Sequence, residues 1–143
     1  MKPKILLPKK IIDEFSRQAL DEFPYECCGF LVGGSIENGI EAVEYVPAKN
    51  SRDSNRKRRF VIDPQEYLEV ENKADSQNRS LIGIVHSHPD APDIPSEYDR
   101  NHAFAGFSYI IISTTEKKIN GFRSWRLQED RKSFIEEEIQ VIA

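Results

Sequence analysis

The chain has 143 residues, 38% of them hydrophobic, which is enough for one ordinary globular core and too few for two comfortable domains, so residues 1–143 are expected to form a single domain. A formal net charge of −4 gives no overall attraction to nucleic acid, and the two cysteines, adjacent at Cys27 and Cys28 in an apolar run, read as core residues of a protein from a reducing compartment. No apolar run approaches the roughly 20 residues of a membrane helix, and Pro8 interrupts MKPKILLPKK before a signal-peptide core forms, so a soluble cytoplasmic protein with no membrane partner is expected.

Lys4 to Leu7 reads as a short strand, followed by Lys9 to Asp21 with Ile11, Ile12, Phe15 and Leu20 near helical spacing. Glu26 to Gly33 is an apolar run, and alternation over Ile40 to Val46 predicts its hairpin partner, with the turn in Ser35 to Gly39. Lys49, Arg52 and Arg56 to Arg59 form a basic loop, which reads either as a solvated segment or as a docking patch for an acidic protein. Phe60 to Ile62 is β-branched or aromatic, and Asp63 with Pro64 supplies an N-cap and a first helical residue for a helix to about Gln77. Leu81 to His88 is an expected strand, Ser96 to Ala105 a helix, and Tyr109 to Ser113 a strand too apolar to be exposed on both faces. Lys118 to Leu127 and Phe134 to Ile142 complete the expected strands. The order predicts an α+β fold with one long mixed sheet, two or three helices and no internal repeat.

Chemistry concentrates in GIVHSHPDAPDIPSEYDRNHAF. Residues two apart on a strand face the same way, so Leu81 to Val85 would deliver His86 and His88 side by side. Ser96 and Asp99 stand three apart, on one face of a helix. Ser96 also suits an N-cap, with Asp99 as a shorter form of the usual capping-box glutamate. Capping explains a helix start there, but not why two of the three histidines precede it at strand spacing. Two imidazoles and a carboxylate would hold a tetrahedral zinc with one position open, the mark of a catalytic site, and iron or manganese suits the same donors. His102, one turn beyond Asp99, reads as exposed or supporting rather than ligating, and Asp90 and Asp93 as solvated. Pro89, Pro92 and Pro95 stiffen the intervening loop.

Other metal proteins with His-x-His elements fit less well. Non-haem iron oxygenases commonly use His-x-Asp with a distant second His, and zinc amidohydrolase barrels take about 250 residues. Copper and structural zinc sites lean on thiolates, for which Cys27 and Cys28 are poorly placed. The residues His86, Ser87, His88, Pro89, Ser96 and Asp99, with Glu26 upstream in YECCGFLVGG, resemble the JAMM metalloproteases, the catalytic MPN or JAB domains. The likeness covers essentially the whole chain.

This resemblance implies a cytidine-deaminase-like domain, with a curved mixed sheet flanked by two or three helices. It implies zinc on His86, His88 and Asp99, which would acidify a bound water as the nucleophile. Glu26, desolvated beside its apolar neighbours, would act as general base and then acid. Ser96 would donate to the oxyanion. The implied substrate is a bond after the C-terminal Gly-Gly of a ubiquitin-like protein. Release of an extension or cysteine from a sulfur carrier is the leading reading, and removal of a modifier from lysine is the alternative. A non-catalytic binding module is the rival from another class, disfavoured by retention of every ligand.

Overall fold

The computed structural model describes residues 3–49 and 62–143. Its elements are β1 (Lys4–Pro8), α1 (Lys9–Glu22), β2 (Cys28–Ile36), β3 (Gly39–Ala48), α2 (Pro64–Ser76), β4 (Ser80–Pro89), α3 (Glu97–His102), β5 (Ser108–Thr114), β6 (Ile119–Leu127) and β7 (Phe134–Ile142). They fall close to where the hydrophobic patterning puts them. Asp63 caps α2 by accepting the Gln65 N–H at 2.8 Å. Helix α3 stops short of Ala105, because the backbone is already extended at Ala103. Arg52, Arg56 to Arg59 and the expected strand residues Phe60 and Val61 lie outside the described residues.

The expected α+β arrangement, a curved mixed sheet flanked by helices, is corrected by the strand pairing. The sheet is mixed, but it closes into a barrel in the order β1-β3-β2-β4-β5-β6-β7. Closure is the work of β1, whose Ile5 pairs in parallel with Ile40 of β3 on one side and Ile139 of β7 on the other. An open sheet would leave two rows of unpaired backbone groups, and joining the first strand to the last removes both. Apolar burial favours the same closure. Ile11, Phe15 and Ala19 form one stripe of α1, and their hydrophobic cluster takes in residues from all seven strands, from Ile5 of β1 to Ile139 of β7.

A second cluster joins Cys28, Phe30, Ile84 and Tyr109 to Tyr67 and Val70 of α2 and to Ala103, just beyond α3. Strand β4 runs between the two clusters, with Val85 in the first and Ile84 in the second. Alternation then places His86 and His88 on the side of Ile84, and Ser87 on the other. Among the described residues no helix is long and apolar enough to cross a membrane.

Gly83 sets how closely β4 approaches β5. A Cβ there would lie 2.4 Å from the backbone oxygen of Ser108, its register partner. Gly83→Ala should therefore cost about 1–3 kcal/mol of stability through overpacking. The measurement is the urea midpoint; an unchanged midpoint would show that β4 and β5 part freely.

Candidate metal centre and active site

Strand β4 is paired on both sides, with His86 opposite Cys28 of β2 and Ile111 of β5, and His88 opposite Ser113. Both imidazoles are thus held on a buried strand rather than a loop. Asp99 arrives from α3, whose start is a capping box. Ser96 Oγ accepts the Asp99 N–H at 3.1 Å, and Asp99 Oδ2 accepts the Ser96 N–H at 2.9 Å. The capping motif and the candidate ligand are the same residue, and the cap fixes where that carboxylate points.

His86 Nε2 and His88 Nε2 lie 3.2 Å apart, His86 Nε2 lies 3.3 Å from Asp99 Oδ1, and His88 Nε2 lies 3.1 Å from Asp99 Oδ2. All three residues are buried. A tetrahedral zinc with bonds of about 2.0–2.1 Å has donor-to-donor edges of roughly 3.3 Å; the two Nε2 atoms stand about that far apart, and each faces a different Asp99 oxygen at a similar distance. The tautomer of His88 follows from its other nitrogen. Nδ1 lies 2.9 Å from the Pro92 carbonyl oxygen, which can only accept, so Nδ1 carries a proton and Nε2 is the nitrogen turned toward Asp99. A carbonyl behind a ligating imidazole is the usual means of fixing ring and tautomer.

Electrostatics prepare the same donors. Burial disfavours the imidazolium of His86 more than nearby Asp99 favours it, so its pKa is lowered and the neutral ring prevails. For Asp99, burial pushes the pKa up, but His86 and hydrogen bonds from His88 and the Ser96 amide outweigh it. Its carboxyl is held well below the usual carboxylate range. Neutral imidazole and ionised carboxylate are the forms that bind a metal.

Glu26 precedes β2 and is only 2% exposed. It forms a second possible donor set with His86 and His88, all ligand atoms lying within 4.8 Å of one another. Ser87 holds this segment in place. The Cys27 N–H donates to Ser87 Oγ at 2.8 Å, and the Ser87 N–H donates to the Cys27 carbonyl at 3.1 Å. Two cavities flank the centre. One of about 210 Å³ is lined by Tyr67, Tyr98, Phe104 and Tyr109 with His86 and Asp99. The other, an open cleft of about 580 Å³, is lined by Phe23, Glu26, His88, Asp90 and Ser96.

These separations describe a constellation, and the chain as a whole carries its lineage. The family model for prokaryotic homologs of the JAB domain matches residues 8–128. The chain belongs to that family. The JAB domain is 33% identical over 107 residues to a desampylase of Pyrococcus furiosus, an alignment covering 75% of this chain and 70% of the relative. It is 27% identical over 128 residues to a probable TtuB-protein conjugate cleaving protease of Thermus thermophilus, covering 90% and 79%. A solution structure of a Desulfitobacterium hafniense protein superposes with a TM-score of 0.83 at 31% identity, covering 96% of this chain and 92% of that one.

The structure brings Glu26, His86, His88, Ser96 and Asp99 of this JAB domain around one centre and leaves His102 out of the donor cluster, on the lining of the aromatic cavity. His102 is exposed, stacked on Tyr98 at 4.0 Å, with Nδ1 donating to the Tyr98 carbonyl. Asp93, expected in solvent, instead pairs with Arg123 at 3.5 Å, while the Asp90 N–H donates to the Thr114 carbonyl at 2.7 Å. Motif reading includes Ser87 without giving it a role, and passes over Ser113 and Trp125. The position of Ser87 between the two histidines and the singularity of Trp125 were the available signals.

Cys27 and Cys28 are fully buried, with burial pushing the Cys27 thiol up to about 12 and Cys28 higher still. Neither has the thiolate character of a nucleophile. A disulfide reagent at pH 8 should label no thiol in the native protein and both after unfolding; rapid native labelling would contradict the burial.

Proposed function

We propose that the protein is a zinc-dependent peptidase that cleaves the bond between the C-terminal Gly-Gly tail of a ubiquitin-like protein and the protein to which it is conjugated. In this reading His86, His88 and Asp99 hold the metal, Glu26 is the general base and acid, and Ser96 is the oxyanion donor. The observation that carries it is the convergence of two imidazole nitrogens and the two Asp99 carboxylate oxygens at 3.1 to 3.3 Å, with Glu26 beside them.

Zinc supplies, when bound, an acidified water and a polarised carbonyl. Glu26 takes a proton from the water that attacks the tail carbonyl and delivers it to the leaving nitrogen as the C–N bond breaks. Ser96 Oγ accepts the Asp99 amide through a lone pair, so its own hydroxyl proton is available to the carbonyl oxygen as negative charge develops there. Because Glu26 serves the leaving nitrogen, the leaving chain occupies the cleft that Glu26 lines. The tail then lies on the opposite side, along the cavity of Tyr67, Tyr98 and Phe104.

Glu26→Gln should retain zinc while losing nearly all hydrolysis, and Asp99→Ala should lose the zinc itself. Ser96→Ala should keep the metal and lose about 100- to 1,000-fold in turnover. Metal content by mass spectrometry beside single-turnover rates reads all three. Loss of zinc from Glu26→Gln would instead make Glu26 a ligand, the arrangement its closeness to the imidazoles also allows.

Relatives named for desampylation and for cleaving TtuB-protein conjugates support a conjugate as substrate. That reverses the order suggested by sequence alone, which put a linear extension of a sulfur carrier first. One carrier ending in Gly-Gly, joined either to a lysine side chain or to a short linear extension, distinguishes the two by intact mass. The lysine-linked form should be cleaved faster; preference for the linear form would restore the original order.

A further inference from the structure

Three consecutive carbonyls in the loop between the candidate ligands each accept a hydrogen bond from a side chain on a different strand. Ser113 Oγ of β5 donates to the Ala91 carbonyl at 2.6 Å. His88 Nδ1 of β4 donates to the Pro92 carbonyl at 2.9 Å. Trp125 Nε1 of β6 donates to the Asp93 carbonyl at 3.0 Å. These strands are neighbours in the order β4-β5-β6, and His88 and Ser113 are register partners. The Asp93 side chain is held as well, by Arg123 at 3.5 Å, and a Cβ at Gly121 would lie 3.4 Å from Asp93 Oδ2. Gly121, Arg123 and Trp125 alternate along β6 and so present one face of the strand to the loop.

The Pro92 carbonyl is thus clamped on both sides, by Ser113 through residue 91 and by Trp125 through residue 93. We infer that Ser113 and Trp125 are positioning residues for the metal centre. They hold the Pro92 carbonyl where it orients the His88 ring and keeps the proton on Nδ1, which leaves Nε2 as the donor. This inference rests on the metal-dependent reading above. Neither residue lines either cavity at the centre, so each acts through the loop and not on substrate.

The test is metal affinity, read by competing the full-length protein against a chelator for Zn²⁺, together with the visible absorption spectrum of the Co²⁺-loaded form. Ser113→Ala and Trp125→Phe should each weaken Zn²⁺ binding about 10-fold, and the double variant about 100-fold, as is usual when support behind a ligating His is removed. The cobalt spectrum should change in both variants, reporting altered ligand orientation. Ser113→Thr, which keeps the hydroxyl, should restore affinity. Ser124→Ala serves as the control for a merely structural loss: it removes a buried hydroxyl that bonds Glu137 on the same sheet and should leave affinity and spectrum unchanged. Wild-type affinity and spectrum in the double variant would overturn the inference. Equal losses in Ser124→Ala would do the same. Failure of the unsubstituted protein to take up Zn²⁺ would overturn the metal reading on which it stands.

Discussion

A carboxylate buried where two imidazoles converge is the constraint on which the rest of the structure turns. The Asp99 carboxyl is held below the usual carboxylate range and burial lowers the pKa of His86, so the site gathers an ionisable carboxylate and two imidazoles with little exposure. A second buried carboxylate shows the contrast. Glu137 accepts the hydroxyls of Ser108 and Ser124 and pairs with Arg126 at 2.7 Å, a set that neutralises it within the protein. The partners described for Asp99 are two imidazoles and a backbone amide, and an imidazole, unlike the Arg126 guanidinium, can give up its proton to an incoming cation. A buried charge without a permanent counterion is costly, and a cation at the meeting point of the donors is its physical remedy.

The surrounding structure supplies rigidity to that point from independent directions. β4, paired on both sides, sets the two imidazoles at strand spacing. The capping box aims the Asp99 carboxylate, and Ser87 ties the segment carrying Glu26 to the histidine strand. The carbonyl behind His88 belongs to a loop held to β5 and β6. Each device uses a short polar side chain on a backbone group. That suits a site whose proposed chemistry depends on distances fixed to a few tenths of an ångström.

The barrel makes these placements compatible. Its closure through β1 gathers apolar residues of every strand around one stripe of α1, and the second cluster forms under α2 and beside α3. Ser87 faces away from the two histidines between which it lies, so one short segment of β4 can hold Glu26 from one face and present the imidazoles on the other. The aromatic cavity and the open cleft then lie on two sides of a fixed centre. In the proposed reaction a chain threaded between them would meet the donors and Glu26 together.

Much of this was legible in the residues themselves. Strand alternation before His86 and His88, the cap at Ser96 with Asp99 three residues on, and the Asp63-Pro64 start of α2 are local signals, because backbone period and capping chemistry act over a few residues. The JAMM-like spacing likewise pointed to the family, which the match to prokaryotic homologs of the JAB domain bears out. What tertiary structure alone decided is which distant groups meet: Ile5 between Ile40 and Ile139, Glu26 beside the imidazoles, and Trp125 on the loop of the candidate ligands. A strand's pattern states which face is apolar but not which strands flank it, so closure of the sheet and every contact across it depended on the partner that long-range burial selected.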